Sequence, residues 1–288
     1  MTARPPPWRI EAREHHLGDG RAVLLRPLQP ADAEAMTAFF AGLTEREIYY
    51  FFRLDEPEAR RLATDAPRAP AYRLLAVERS RALGYAFLQW HDDRPPNFGI
   101  CLSVGAQSVG LGRALIGHLL DSAAASGVDR ARLSVHPDNW RALRLYQRSG
   151  FRLVGDFVNE HQGRVQYRME ADLAAPCPAI DESLTVIPRG GLGVASSAAR
   201  VQAALEARRG RLPLVLDRPA RSDGEVVLVA DLGPERTAWG HESGPARGAA
   251  GATEGWIARL DGRTTLVAGS GPDALARAAE RYARSPGG

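Results

Sequence analysis

Gln107-Ser-Val-Gly-Leu-Gly112 decides the reading of this chain. An apolar run, Asn97-Phe-Gly-Ile-Cys-Leu-Ser-Val104, leads into it and reads as a strand. Behind it, Leu111, Leu115, Ile116, Leu119, Leu120 and Ala123 recur at helical spacing, which predicts a helix over 111–125, closed by Gly127. Glycines between a strand and a helix let the backbone turn tightly. They present successive N–H groups at the helix N-terminus, where an anion such as a pyrophosphate is favoured. The turn is not a Walker loop, because the Gly-Lys-Ser/Thr ending is absent. Nor is it the dinucleotide fingerprint, whose first glycines are spaced differently.

Working outward, a second signature begins some thirty residues on: Asn139-Trp-Arg-Ala-Leu-Arg-Leu-Tyr-Gln-Arg-Ser-Gly-Phe151, or N-x-x-A-x-x-L-Y-x-x-x-G-F. It reads as a helix from Asn139 to Arg148, stopped by Gly150. Around these two signatures the periodicities alternate. Strands are expected at 21–26, 72–78, 82–90, 97–104 and 132–136, with a hairpin of 152–158 and 165–169 about Gln162-Gly163. Helices are expected from Pro30 through Phe40 and over 45–53.

Together the two signatures closely resemble the GNAT superfamily of acyl-CoA-dependent N-acyltransferases, over about residues 21–172. The resemblance implies an α/β (α+β) fold whose central mixed, mostly antiparallel sheet is flanked by helices. It also implies acetyl-CoA as co-substrate and direct transfer in a ternary complex. In the family the strand before the glycine turn splays at a bulge and bonds the pantetheine arm, here through backbone groups from Leu102 to Val104. The amides of Val109, Gly110, Leu111, Gly112 and Arg113 would cradle the pyrophosphate. Val104 N–H would polarise the thioester carbonyl. Tyr146 matches the tyrosine that hands a proton to the departing thiolate, and Asn139 matches a cofactor-contacting asparagine. Each position also has a plain structural reading. Tyr146 can pack a core, Asn139 can cap its helix, and Arg113 can contribute its amide alone. Cys101 reads as a small buried hydrophobe.

No carboxylate occupies 97–104, where many relatives place a general base. His136, Glu78, His91, Asp92 and Asp93 are the alternatives, beside a water relay. The entry segment, Leu25-Arg-Pro-Leu-Gln-Pro-Ala-Asp32, Phe39-Phe40 and Tyr49-Tyr-Phe-Phe-Arg53, resembles bacterial protein-lysine acetyltransferases of the Pat type. The acceptor that this implies is a primary amine, of a protein lysine or N-terminus. An amino-sugar or small-metabolite amine is the alternative, and a non-catalytic acyl-CoA sensor or adaptor is a third reading.

Residues 1–20 are polar and Pro-rich and read as a flexible arm, 21–173 as the GNAT domain and 174–182 as a linker. Residues 183–288 read as a second small α/β domain. Its end, from Glu254, resembles the small α/β domain that precedes the barrel in hexosaminidase- and hyaluronidase-type glycosidases, which is not catalytic there. Asp217, Asp223 and Asp231 read as solvated loop acids.

Composition sets the outer limits. The chain has 288 residues, of which 44% are hydrophobic and 25% charged, enough for one or two ordinary globular cores. No apolar run approaches the roughly 18 residues of a membrane span, and the N-terminus lacks the apolar segment of a signal peptide. Two cysteines, Cys101 and Cys177, exclude a disulfide scaffold and a cysteine-based zinc cluster; no metal site is expected. All 37 basic residues are arginines, so Schiff-base and P-loop lysine chemistry are excluded. A net charge of +3 spread along the chain is not a nucleic-acid footprint. The expected compartment is the cytoplasm.

Overall fold

The computed structural model describes residues 10–51, 54–67, 69–91, 94–160, 162–190, 192–217, 219–222, 224–231, 256–259, 263–269 and 272–285. They form a mixed α/β fold with a large, mostly antiparallel sheet flanked by helices and a second, smaller sheet. The chain divides into two compact units, Met1–Leu133 with Ala171–Pro176, and Ser134–Glu170 with Cys177–Gly288. That division runs through the segment 21–173, which the sequence reads as one domain.

In the first unit, β1 (Arg13–His16), β2 (Ala22–Pro27), β3 (Ala71–Glu78), β4 (Arg81–Gln89), β5 (Asn97–Leu102) and β6 (Arg130–Val135) lie side by side in chain order. All neighbours are antiparallel except β5 and β6, which run parallel. Helices α1 (Ala33–Ala41), α2 (Glu45–Tyr50) and α3 (Glu56–Thr64) follow β2, and α4 (Leu111–Ala125) follows β5. Met36, Phe39 and Phe40 pack with Leu75, Tyr85 and Cys101 into one buried cluster. Six apolar residues of α4 (Leu111, Leu115, Ile116, Leu119, Leu120 and Ala123) are buried as its periodicity predicts. Gly84 is needed for that packing. A Cβ there would meet Leu102 at 2.7 Å and Leu115 at 2.8 Å.

Three elements depart from the sequence reading. Residues 13–16, expected in a flexible arm, form β1, whose four positions pair with 22–25 of β2. Backbone pairing along an edge builds this strand, since Arg-Glu-His-His has no apolar alternation to reveal it. Helix α3 was not expected either. It begins with a capping box, in which Asp55 accepts from Glu58 N–H at 2.8 Å and Glu58 answers Asp55 N–H at 3.0 Å. Strand β5 ends at Leu102, and Val104–Ala106 form a 3₁₀ turn instead of continuing the strand.

The second unit carries α5 (Trp140–Arg148), the hairpin β7 (Arg152–Asn159) and β8 (Arg164–Asp172), and a five-stranded sheet. That sheet comprises β9 (Ile180–Arg189), β10 (Leu212–Val215), β11 (Glu225–Asp231), β12 (Trp256–Arg259) and β13 (Thr264–Gly269), in the order β10-β9-β11-β13-β12. Only β12 is antiparallel to its neighbour. Helices α6 (Val194–Arg209) and α7 (Pro272–Arg284) complete it. A run of polar contacts ties α5 and β7 to this sheet and its helices. Gln147, fully buried, donates to Val215 C=O at 3.0 Å and accepts from Val215 N–H at 2.7 Å. Gln202 donates to Gln147 at 3.1 Å and to Pro213 C=O at 2.7 Å. Arg152 pairs with Glu206, and both Arg144 and Arg148 reach Glu182. Both carboxylate oxygens of Asp156 accept from Gly193 N–H, at 3.0 and 2.9 Å, just ahead of α6.

Candidate active site

The glycine turn is held by the first unit alone. Ser108 and Gly110 both take positive φ, 63° and 91°, which reverses the chain directly into α4. Glycine meets that demand at Gly110 without steric cost. The first helical bond runs from Ala114 N–H to Gly110 C=O at 3.1 Å. The amides of Leu111, Gly112 and Arg113 therefore precede the helix's own bonding pattern and face its N-terminal end. All five predicted cradle residues, Val109 to Arg113, thus sit at one helix terminus, whose dipole favours negative charge.

A cavity of about 620 Å³ opens beside this turn. One wall is Ser108, Val109, Gly110, Arg113 and Ala114. The facing wall is the end of β1 and the turn after it, with His15, His16, Gly18 and Asp19. Gly18 N–H donates to Val109 C=O at 2.9 Å and fastens the two walls together. Asp19 is held by Arg21 at 2.7 Å, and this pairing keeps its carboxyl below the usual range. Arg21 also donates to Gly105 C=O at 2.7 Å, which anchors the 3₁₀ turn.

Leu102 and Val104 lie one step upstream. The β4–β5 ladder runs from Gln89↔Asn97 to Gly84↔Leu102 without a shift, and Ser103 N–H continues it to Leu83 C=O. Bonded and non-bonded pairs alternate in such a ladder. Since Ser103 bonds Leu83, the N–H and C=O of Leu102 and Ile100 point away from β4. Among the described residues, β6 meets β5 only at Asn97↔Arg132. Strand β5 therefore presents the backbone of Ile100 and Leu102 on its open side. The register shift in this part of the sheet lies in the β3–β4 ladder, past Ala76, rather than in β5. Val104 begins the 3₁₀ turn and is 55% exposed; its N–H precedes that turn's first bond, Ala106 N–H to Ser103 C=O.

One carboxylate near the end of β5 was not anticipated in the sequence. Gln107 donates to the Glu47 carboxylate at 3.0 Å and approaches Leu102 C=O at 3.5 Å. Glu47 thus brings a carboxylate to the end of β5, where the strand itself has none. Its burial raises the carboxyl's proton affinity, but hydrogen bonds from Thr44 and Gln107 outweigh that and hold it below the usual range. The pattern Thr44-x-x-Glu47 is a capping box and was the signal available. Of the other carboxylates considered, Glu78 lies 3.9 Å from Arg21, and Asp92, Asp93 and Asp223 lie outside the described residues. Burial pushes the Cys101 thiol up to about 12, as fits a small core residue rather than a nucleophile.

In the second unit, Asn139 caps α5, its Oδ1 accepting from Ala142 N–H at 3.3 Å. Tyr146 lies on the same helix, 8% exposed, its ring edge-to-face with Phe151 at 6.0 Å. His136 is buried beside Gln166 at 3.2 Å; burial is the main cause that lowers its proton affinity.

Residues 22–152 match the model of the Acetyltransferase (GNAT) domain. A curated relative, the mycothiol acetyltransferase of Beutenbergia cavernae, is 55% identical over 47 residues, 16% of this chain and 16% of that protein. The match thus spans about a sixth of that relative's length. Among solved structures, the ribosomal-protein-S5-alanine acetyltransferase from Vibrio fischeri aligns with a TM-score of 0.50 at 13% identity, over 56% of this chain and 96% of that one. The GNAT domain of S. lividans PAT aligns with a TM-score of 0.48 at 19% identity, over 56% and 96%. Over those residues the chain is similar to the GNAT acetyltransferase family, and a second α/β segment follows them. Among the described residues, no helix is long and apolar enough to cross a membrane and no cluster of metal-ligating side chains occurs.

Proposed function

We propose that this domain transfers an acetyl group from acetyl-CoA to a primary amine. The observation that carries the reading is the glycine turn at the α4 N-terminus, where the amides of Leu111, Gly112 and Arg113 precede the first helical bond, with a cavity lined by Ser108, Val109, Gly110, Arg113 and Ala114 beside it. Those amides would donate to the pyrophosphate, and the outward backbone of Leu102 would bond the pantetheine arm. Val104 N–H would stabilise the oxyanion that forms on the thioester carbonyl. As the amine nitrogen attacks, the N–C bond forms, the C–S bond breaks and the electron pair leaves on sulfur. Tyr146 supplies the thiolate's proton, and the amine's surplus proton passes to water. Asn139 serves primarily as the α5 cap. Glu47, ionised at neutral pH, suits an incoming ammonium better than it suits proton abstraction.

For the acceptor we propose a protein lysine or N-terminus, with an amino-sugar or small-metabolite amine as the alternative. The named relatives include a ribosomal-protein-S5-alanine acetyltransferase and a mycothiol acetyltransferase. With two cysteines in the chain and no disulfide scaffold, the activity is proposed for the cytoplasm. Incubation with acetyl-CoA and an amine panel should release free CoA thiol, and mass spectrometry of treated host lysate should reveal the acetylated acceptor. Calorimetry showing no binding of acetyl-CoA would overturn the reading; binding without turnover on any amine would favour the sensor.

A further inference from the structure

We infer that Arg73 binds a carboxylate carried by the acceptor, so that the acetylated amine belongs to a molecule that also bears an acid. The inference rests on the proposed acetyl transfer and narrows the acceptor within it. Arg73 stands in β3, 9% exposed, and among the described residues it pairs with no carboxylate. Its Nη1 donates to Tyr85 Oη at 3.3 Å and reaches Leu62 C=O of α3 at 3.5 Å. Burial pushes the Tyr85 phenol up to about 12, so this partner is neutral and leaves the guanidinium charge uncancelled. The other edge of the guanidinium, Nε with Nη2, bonds nothing among the described residues, and Nε is buried. A buried charge ordinarily has a counter-charge, because neutral partners do not offset its loss of water. An N–H from each of Nε and Nη2 points the same way, and the two match the two oxygens of a carboxylate. A single guanidinium balances one negative charge, which favours a carboxylate over a phosphate dianion.

The place of Arg73 in the sheet connects it to the proposed transfer site. Phe87 is its partner across the β3–β4 ladder, and Gly99 is the partner of Phe87 across the β4–β5 ladder. Glycine at 99 leaves room for the Phe87 ring, which a Cβ there would meet at 2.4 Å. The row Arg73–Phe87–Gly99 therefore ends on β5 beside Ile100, whose backbone faces the strand's open side. Two residues further along, Tyr85 and Cys101 oppose each other and pack with α1 in one buried cluster. Glu47 of α2 lies close enough to raise the proton affinity of the Cys101 thiol. This side of the sheet thus holds an acid and a base that do not pair with each other. An acceptor bearing both an ammonium and a carboxylate is complementary to that arrangement. Free α-amino acids have this chemistry, and so does a protein lysine or N-terminus beside an acidic residue.

The test is the initial rate of CoA thiol release by the full chain with acetyl-CoA and paired acceptors, for wild type and Arg73→Gln. One arm pairs free α-amino acids with their carboxamides. The other pairs lysine peptides that carry Asp or Asn beside the lysine, and the arm that responds identifies the source of the carboxylate. Amine basicity differs within a pair but affects both proteins alike, so the change in the acid-to-amide ratio of kcat/KM is the readout. In one arm that ratio should be at least about 10-fold higher for wild type than for Arg73→Gln, as fits a lost charge-assisted hydrogen-bond pair. Acetyl-CoA affinity and the rate on the amide should stay unchanged. A purely structural Arg73 would slow acid and amide alike, and an unmoved ratio in both arms would overturn the inference while leaving acetyl transfer standing. Failure of the wild type to acetylate any amine in either arm would instead remove the transfer reading, and the inference with it. Should Arg73→Gln fail to fold, Arg73→Lys, which keeps the charge without the fork, carries the same comparison and must lower the ratio.

Discussion

The side-chain amide of Gln147 brackets the backbone of Val215, accepting from its N–H at 2.7 Å and donating to its C=O at 3.0 Å. A single side chain thereby supplies β10 with the paired bonds that a neighbouring strand would provide. The same Gln147 stands next to Tyr146, so the proposed proton donor and the anchor of its helix are consecutive residues.

Gln147→Leu should lower stability by about 3 kcal/mol, because it strands two buried backbone groups and the amide of Gln202. Urea unfolding checks this. A loss below about 0.5 kcal/mol would mean that water replaces the amide at Val215 and that α5 is held by other contacts.

Tyr146→Phe keeps the ring against Phe151 and removes only the hydroxyl. Turnover should fall by about 100-fold or more, the range typical of a general acid, with acetyl-CoA affinity unchanged. Steady-state kinetics beside calorimetry separate the two effects. Unchanged turnover would assign Tyr146 to packing alone.

Gly112→Val sets a β-branched side chain in the first turn of α4, among the amides proposed to hold the pyrophosphate. The protein should fold, and its affinity for CoA should drop more than tenfold, over about 1.4 kcal/mol. Normal CoA binding by a folded Gly112→Val protein would refute the pyrophosphate assignment.

His136 makes stability depend on pH. Burial is the chief cause of its lowered proton affinity in the fold, with Arg164 adding to it and Asp138 and Gln162 opposing. The unfolded chain therefore takes up a proton near pH 6.5 that the folded chain resists, and stability rises with pH through that point. Between pH 5.0 and 7.5 the urea midpoint of the wild type should climb more steeply than that of His136→Gln. Parallel profiles would show that the imidazole is free to protonate in the fold.

Much of this was legible in the residues, for identifiable reasons. The apolar face of α4 appears in the sequence because burial is periodic there, and every residue of that face is buried. The glycine turn is legible because positive φ at Gly110 restricts what can occupy the position. What escaped was set by partners distant in sequence. Arg13–His16 become a strand only through Ala22–Leu25, and so two histidines assigned to an arm line the cavity. Gln147 falls on a variable position of its signature and, being polar, reads as solvent-facing, yet it is fully buried against Val215 and Gln202. Glu47 was hidden among ordinary helix-start acids, since its neighbour Gln107 lies sixty positions away.

The carboxylate of Asp156 has a further consequence. Gly193 precedes α6 with φ 94° and ψ −16°, nearly the φ 91° and ψ −10° of Gly110. By the backbone angles of this one glycine the starts of α4 and α6 are alike. One is supplied from within: Asp156 fills the place that a diffusing phosphate would take. The other has no such internal guest among its cavity-lining residues, because its nearby acid, Asp19, is committed to Arg21. Among the described residues, an internal carboxylate at the start of α6 and none at the start of α4 is a distinction that glycine spacing cannot encode.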